Sequence, residues 1–105
     1  MADTPSRNGS GERAQYILHL YISGVSPRSK RALSNVKEIC EEHLKGRYDL
    51  EVVDIFQSPA QFERDKIVAA PTLVKRSPLP VRRFIGDDLS NKDKLFSGLE
   101  ISDAA

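Results

Sequence analysis

Few side chains in this 105-residue sequence are of the kinds that perform covalent or redox chemistry. It has one cysteine, Cys40, and two histidines, His19 and His43. Cys40 lies in an apolar stripe with helical spacing, which predicts a buried thiol, because a reactive cysteine needs exposure and nearby positive charge. Neither histidine has a second ligand at a metal-like spacing, so both are interpreted as structural. No phosphate loop, carboxylate pair or nucleophile–base set appears, so the residues indicate no cofactor or metal site.

Between residues 72 and 85, four basic side chains occur without an acidic one. Four cations could bind phosphates or an acidic protein surface. The alternative is a solvated hairpin whose charges keep a sheet edge from pairing with other chains, and composition alone favours it. Nucleic acid is disfavoured, because one short patch without a stacking motif is weak evidence. The four residues are Lys75, Arg76, Arg82 and Arg83.

Length and composition predict one small domain over residues 15–101. Residues 1–14 are polar and contain no apolar core of a secretory signal, so we expect a disordered tail there and a short second tail at 102–105. No apolar run is long enough to cross a bilayer, and a single cysteine fits a reducing compartment. We therefore expect a cytoplasmic protein with no membrane span. The net charge of +1 provides no global field for nucleic acid or anionic lipid.

The first half of the domain predicts a strand, a helix and a parallel strand. Tyr16–Ile22 is aromatic and β-branched, as strands are. Ser26 is expected to cap a helix that has Pro27 at its first position and runs to Leu44. Gly46 is expected to end that helix in the left-handed conformation.

The second half is predicted from shorter apolar runs between turn residues. A capping box with proline at the first turn indicates a second helix, and a proline-punctuated turn indicates a hairpin. The resulting order, β-α-β-α-β-β-α, is thioredoxin-like. The predicted elements are a strand over Leu50–Phe56, a helix from Ser58 toward Val68, strands over Thr72–Val74 and Val81–Ile85, a turn at Gly86–Asp88, and a helix capped by Ser90 through Leu99.

Two features qualify the thioredoxin-like interpretation. Ala70-Pro71-Thr72 enters a short apolar strand, where this fold usually has a cis peptide bond. The Cys-x-x-Cys of thioredoxin chemistry belongs at the end of the first strand, but that place holds residues 23–27, Ser-Gly-Val-Ser-Pro. The scaffold is thus predicted without its redox pair, which favours binding over reduction. A redox enzyme that acts through a lone thiol stays as an alternative.

The end of the domain is compatible with two structures. Gly98 lies inside the predicted last helix, where glycine costs about 1 kcal/mol relative to alanine. Phe96, Leu99 and Ile101 also fit a short strand after a turn at Gly98. Two packings of similar energy are therefore conceivable here.

Several short motifs, taken in order, make the chain resemble the KaiB family of bacterial circadian clock proteins. The resemblance spans roughly Tyr16 to Ile101, and it is the order and spacing of the motifs that are specific. The motifs are Leu-Tyr-Ile-Ser-Gly at 20–24, Arg-Ala-Leu at 31–33, Asp-Lys-Ile at 65–67, Pro-Thr-Leu at 71–73, Leu-Pro-Val-Arg-Arg at 79–83, and Gly-Asp with Leu-Ser-Asn within 86–91.

The resemblance implies a regulator that is not an enzyme. Proteins of this family rest as a homo-oligomer, a tetramer or a dimer, in their own β-α-β-β-α-α-β fold, and convert rarely to a thioredoxin-like monomer. That monomer docks on the N-terminal ATPase ring of KaiC and modulates its phosphorylation cycle. It also captures or displaces KaiA or the sensor domain of a histidine kinase. The extra acid at Asp88 and the short C-terminus keep open a stress-response or histidine-kinase adaptor without a clock.

The resemblance also implies roles for individual residues. Six match positions at or near the family's partner-binding surfaces, and three match the segments that change between its two folds. The partner-binding set is Arg31, Tyr48, Lys66, Lys75, Arg82 and Arg83, and the fold-switch set is Pro71, Gly98 and Glu100.

Overall fold

The computed structural model describes residues 15–101, in which strands and helices alternate in the predicted order. Both predicted tails lie outside the described residues. The thioredoxin-like element order is confirmed over the described part of the chain. The elements are β1 (Tyr16–Ile22), α1 (Pro27–His43), β2 (Tyr48–Asp54), α2 (Pro59–Arg64), β3 (Thr72–Ser77), β4 (Arg82–Ile85), a 3-10 helix (Gly86–Leu89) and α3 (Lys92–Leu99).

The four strands form one sheet in the order β2-β1-β3-β4. Strand β2 lies parallel to β1, as a helical crossover requires, with Tyr16 opposite Tyr48. Strand β3 is antiparallel to β1, and β4 is antiparallel to β3 with Thr72 opposite Ile85. The predicted hairpin is therefore confirmed, and β2 and β4 form the two opposite edges of the sheet.

Helix α1 begins as the sequence predicts. The Ser26 hydroxyl accepts a hydrogen bond from the Ser29 N–H at 3.2 Å, and Pro27 occupies the first turn. The helix ends at His43 with Leu44 as its cap. Gly46 has a φ of +80°, as expected, but lies beyond that cap, in the turn that leads into β2.

Helix α2 is shorter than predicted and lacks the predicted capping box. The Ser58 side chain makes no cap hydrogen bond, and the helix ends at Arg64 instead of continuing toward Val68. Lys66, two residues past the helix end, has a φ of +58°, which a helix cannot contain. The turn lets the Ile67 N–H donate to the Phe62 carbonyl at 2.8 Å and buries Ile67 beside Phe62.

The last helix is capped by a different residue from the predicted one. The Asn91 side chain, rather than that of Ser90, accepts a hydrogen bond from the Lys94 N–H. Gly98 lies inside α3, so the strand alternative is not adopted in this conformation. A Cβ at Gly98 would come within 2.5 Å of Cε2 of Phe84, so glycine lets α3 pack closely against β4.

The core has one layer on each face of the sheet. The larger layer lies beneath α1 and α3, and the smaller one lies between the sheet and α2. The Ala70–Pro71 peptide bond is cis, as expected, and so are the bonds before Pro78 and Pro80. Among the described helices, none has the length and apolar character needed to cross a bilayer.

Candidate functional site

The position of a redox pair is occupied here by a helix cap. The Ser26 side chain caps α1, and the Ser29 hydroxyl accepts from the Ser23 N–H at 3.1 Å. Cys40 lies on the core face of α1 and is fully buried. Burial raises the pKa of its thiol to about 12, so almost no thiolate forms near neutral pH. The geometry does not support thiol exchange at either place.

Cys40 should therefore stay unmodified in the native protein. We expect no reaction with a thiol reagent such as dithionitrobenzoate at pH 8, and full reaction after unfolding in guanidinium, because only unfolding exposes the sulfur. The time course of absorbance measures this directly. Rapid native labelling that Cys40→Ser abolishes would revive the redox alternative.

At the β4 edge of the sheet, Arg83 and Lys66 lie together. The Arg83 guanidinium donates to the Asp65 carbonyl at 3.1 Å and to the Lys66 carbonyl at 3.3 Å. These bonds hold the left-handed turn after α2 against β4. Because both acceptors are backbone carbonyls, no carboxylate of the described residues neutralises the guanidinium charge. Arg83 and the exposed Lys66 thus leave two cations open to a partner.

Arg82 lies on the same strand but is engaged by an acid. Its Nη1 lies 3.2 Å from Oε2 of Glu100, and both side chains are partly exposed. Glu100 ends α3 with a φ of +55°, and its carbonyl accepts from the Tyr16 hydroxyl at 3.3 Å. A predicted partner-binding residue is therefore joined to a predicted fold-switch residue. We call Lys66, Arg82 and Arg83 the basic edge.

The structure corrects the placement of Lys75 among the exposed cations. Lys75 is 1 % exposed and faces Leu18 on one side and Arg82 on the other. Its ammonium makes no hydrogen bond or ion pair with any described residue. Alternation along β3 turns this side chain toward the larger core layer, and in this conformation it cannot touch a partner.

Arg31 and Tyr48 lie away from the basic edge. Arg31 is exposed on α1 and lines a shallow cleft with Pro27, Arg28 and Ser90. Tyr48 begins β2, at the opposite edge of the sheet from β4. Its hydroxyl donates to Glu41 at 2.7 Å, and this hydrogen bond raises the pKa of Tyr48 to about 12. Apart from the buried Lys75, the predicted partner residues thus occupy three separate surfaces: the basic edge, the α1 surface at Arg31 and the β2 edge at Tyr48.

Sequence reasoning missed a polar cluster on the face of the sheet that α2 covers. The Tyr21 hydroxyl donates to Asp65 at 2.6 Å, and Arg76 lies 3.8 Å from the same carboxylate. Arg76 Nε also donates to His19 Nδ1 at 3.1 Å. Arg76 is therefore a structural cation, and His19 is a structural histidine as predicted. The alternation that puts Tyr21 and His19 on one face of β1 was the available signal, but Asp65, the partner of Tyr21, is distant in sequence.

Tyr21→Phe should destabilise this fold by about 1–3 kcal/mol, because it leaves the Asp65 carboxylate without its closest donor. The Tyr21 hydrogen bond is the main cause that lowers the pKa of Asp65. A lowered carboxyl pKa contributes stability above about pH 4, which is lost as the pH falls through the folded-state value. Urea unfolding at pH 7 and pH 3 should show a smaller deficit for the variant at pH 3. An equal deficit at both values would contradict this role.

The second missed feature is a group of exposed apolar side chains at the end of the sheet where β1 and β2 finish. Val25, Phe56 and Val68 are each largely exposed. Phe56 was predicted to end a strand, but β2 ends at Asp54 and Phe56 follows it in a turn. Exposure of an apolar residue depends on tertiary packing, so no sequence pattern indicated it.

The chain is similar to known proteins over most of its length. The family model for the KaiB domain matches residues 19–101. The circadian clock oscillator protein KaiB of Prochlorococcus marinus subsp. pastoris is 51 % identical over 89 residues, which cover 85 % of this chain and 82 % of that protein.

Solved structures share the fold. The N-terminal domain of Synechococcus elongatus SasA superposes with a TM-score of 0.67 at 23 % identity, over 94 % of this chain and 87 % of that one. The Drosophila thioredoxin Deadhead superposes with a TM-score of 0.67 at 20 % identity, over 95 % and 97 % of the two chains. The thioredoxin-like fold class is thereby confirmed.

Proposed function

The chain belongs to the KaiB family, and from this membership we propose that it is a non-catalytic clock or timer regulator. It binds the N-terminal ATPase ring of a KaiC-type protein and modulates that protein's phosphorylation cycle. Such a role needs a docking surface and no reacting group. The buried Cys40 and the helix cap in place of a redox pair agree with that requirement.

The basic edge is the observation that carries this proposal. Lys66 and Arg83 keep their charges unpaired by any described carboxylate, and Arg82, on the other face of β4, forms a pair that water still reaches. A guanidinium held by backbone carbonyls, as that of Arg83 is, is preorganised for an acidic surface, which favours fast and specific association. A solvated hairpin edge would explain the same charges, but not the attachment of Arg83 to the turn after α2.

We also propose that the conformation described here is the binding-competent one and that a second fold competes with it. Burying the ammonium of Lys75 with no pairing group among residues 15–101 disfavours this conformation. The family resemblance assigns the fold switch to three residues. Pro71 lies directly before β3, Gly98 lies inside α3, and Glu100 lies at the left-handed end of α3. A competent state populated at about 1 % would weaken the apparent affinity about a hundredfold.

Binding to an isolated N-terminal ATPase domain of KaiC tests the proposal. We expect a stable complex in size-exclusion chromatography after long incubation, with heat released in calorimetry. The rate of the slow step should depend on this protein alone and not on the KaiC domain, because conversion to the binding-competent conformation precedes docking. No complex at micromolar concentrations of both proteins after a day would overturn the proposed function.

The likeness to the SasA domain favours a second, linked role. Two proteins with one fold can occupy the same site, so we propose that this chain displaces a SasA-like domain from KaiC. Adding the chain to a preformed complex of KaiC with such a domain should release the domain. Direct binding of the chain to a histidine kinase in the absence of KaiC would instead support the adaptor alternative.

A further inference from the structure

An apolar cleft opens at the end of the sheet, next to the loop that leads into β3. Its volume is about 230 Å³. Phe62 and Ile67 are buried at its base, and Val68 stands at its rim. Except for Ser23, the lining side chains are apolar, and they come from the ends of β1 and β2, from α2 and from the following loop. The lining residues are Ser23, Ile55, Phe62, Ile67, Val68, Ala69 and Ala70.

The side chains around the cleft are unusually exposed for apolar residues. Val68 is 93 % exposed, and Phe56 is 77 % exposed beside the lining residue Ile55. The Phe56 ring lies over Gly24, where an added Cβ would come within 3.1 Å of it. Single exposed apolar residues are common, but several around one apolar cleft mark an interaction site.

The backbone of the loop is also available. No hydrogen bond joins the N–H or carbonyl of Ala70 to another residue of the described chain. The neighbouring Ala69 carbonyl accepts from the Thr72 hydroxyl at 2.9 Å, which holds the loop in place. An extended segment lying along this loop could pair with Ala70 while one of its side chains enters the cleft.

Charges at the rim select the kind of segment. Lys66 directly precedes the lining residues, its ammonium pairs with no described residue, and the Arg83 guanidinium holds the Lys66 carbonyl. Two acids close to the lining residues are already engaged, whereas Glu63 is exposed on α2. Asp65 accepts from the Tyr21 hydroxyl, and Asp54 accepts from the backbone N–H groups of Gly24 and Phe56.

We propose that this cleft receives one large apolar side chain of an extended, acidic segment of a partner protein. The flanking carboxylates of that segment pair with Lys66 and Arg83. The identity of the partner rests on the proposed function, but the chemistry of the segment does not. The cleft then adjoins Lys66 and Arg83, the part of the basic edge on the α2 face of the sheet.

Two short acetylated peptides test the chemistry without KaiC. One has a central leucine flanked by aspartates, and the other has serine in place of leucine. In amide NMR spectra of the full chain, the leucine peptide should produce saturable shifts at Ile55 and Ile67–Ala70. The serine peptide should produce none there. Equal shifts with both peptides, or shifts confined to other residues, would overturn the proposal.

Val68→Asp tests the cleft in the complex, with Leu79→Asp as the matched control. Both side chains are largely exposed, and Leu79 lies at the tip of the β3–β4 hairpin. Val68→Asp should abolish the leucine-peptide shifts and weaken binding to the KaiC N-terminal domain about tenfold or more, whereas Leu79→Asp should change neither. Equal losses in both variants would overturn the proposal.

The peptide experiment and the KaiC-binding experiment together distinguish a failure of the cleft proposal from a failure of the proposed function. If the unmodified chain binds the leucine peptide but not KaiC, the proposed function fails and the cleft stands. If the chain binds KaiC, the leucine peptide produces no shifts at the cleft, and Val68→Asp leaves the KaiC affinity unchanged, the proposal for the cleft fails and the proposed function stands.

Discussion

Reversing both charges of Arg82 and Arg83 should abolish the complex with the KaiC N-terminal domain, with an affinity loss of about a hundredfold or more. Like charges brought together at an interface cost several kcal/mol, and each 1.4 kcal/mol is a factor of ten in affinity. The effect is large because Arg83, which no described carboxylate neutralises, and Arg82, in an exposed pair, are two of the three cations of the basic edge. Calorimetry of Arg82→Glu with Arg83→Glu measures it.

The design must separate lost docking from lost folding. Arg82→Glu alone places an acid beside Glu100, so we would pair it with Glu100→Arg, which keeps an ion pair and reverses its direction. Lys37→Glu with Lys45→Glu makes the same change in net charge on exposed residues away from β4. Near-normal affinity in the Arg82/Arg83 variant, or an equal loss in the lysine control, would remove the basic edge from the account.

Lys75→Met should stabilise the conformation described here by about 2 kcal/mol. An ammonium buried without a partner among the described residues costs more than an apolar side chain of similar length, and methionine fills the same space. If two folds compete, a shift of about 2 kcal/mol raises a minor competent population about thirtyfold, so the apparent affinity for the KaiC domain should rise by a similar factor.

Urea unfolding and calorimetric binding measure the two effects of Lys75→Met. Lys37→Met is the matched control, because Lys37 is exposed on α1 and should show neither effect. A less stable Lys75→Met variant would mean that the ammonium has a favourable role in this conformation and would contradict our account of its burial.

Local chemistry explains why much of the fold could be predicted. The Ser26 cap with Pro27 at the first turn depends on adjacent residues, and the structure confirms it. The same holds for β1, whose bounds follow from its aromatic and β-branched run. Parallel pairing of β1 with β2 follows from the helix between them.

The errors arose where tertiary contacts decide the outcome. The end of α2 depends on the left-handed Lys66, whose turn is held by Arg83 from another strand. The burial of Lys75 depends on the register of β3 between β1 and β4, which no local pattern specifies. The apolar cleft likewise needs segments from four elements, so only the fold reveals it.

Hydrogen–deuterium exchange of the full chain, alone and mixed with the KaiC N-terminal ATPase domain, tests the central claim most directly. We predict that docking protects the amides of residues 66–70 and of β4, while those on the exposed face of α1 near Lys37 exchange as before. A complex that leaves both of these segments unprotected, or no complex at all, would contradict docking through this surface.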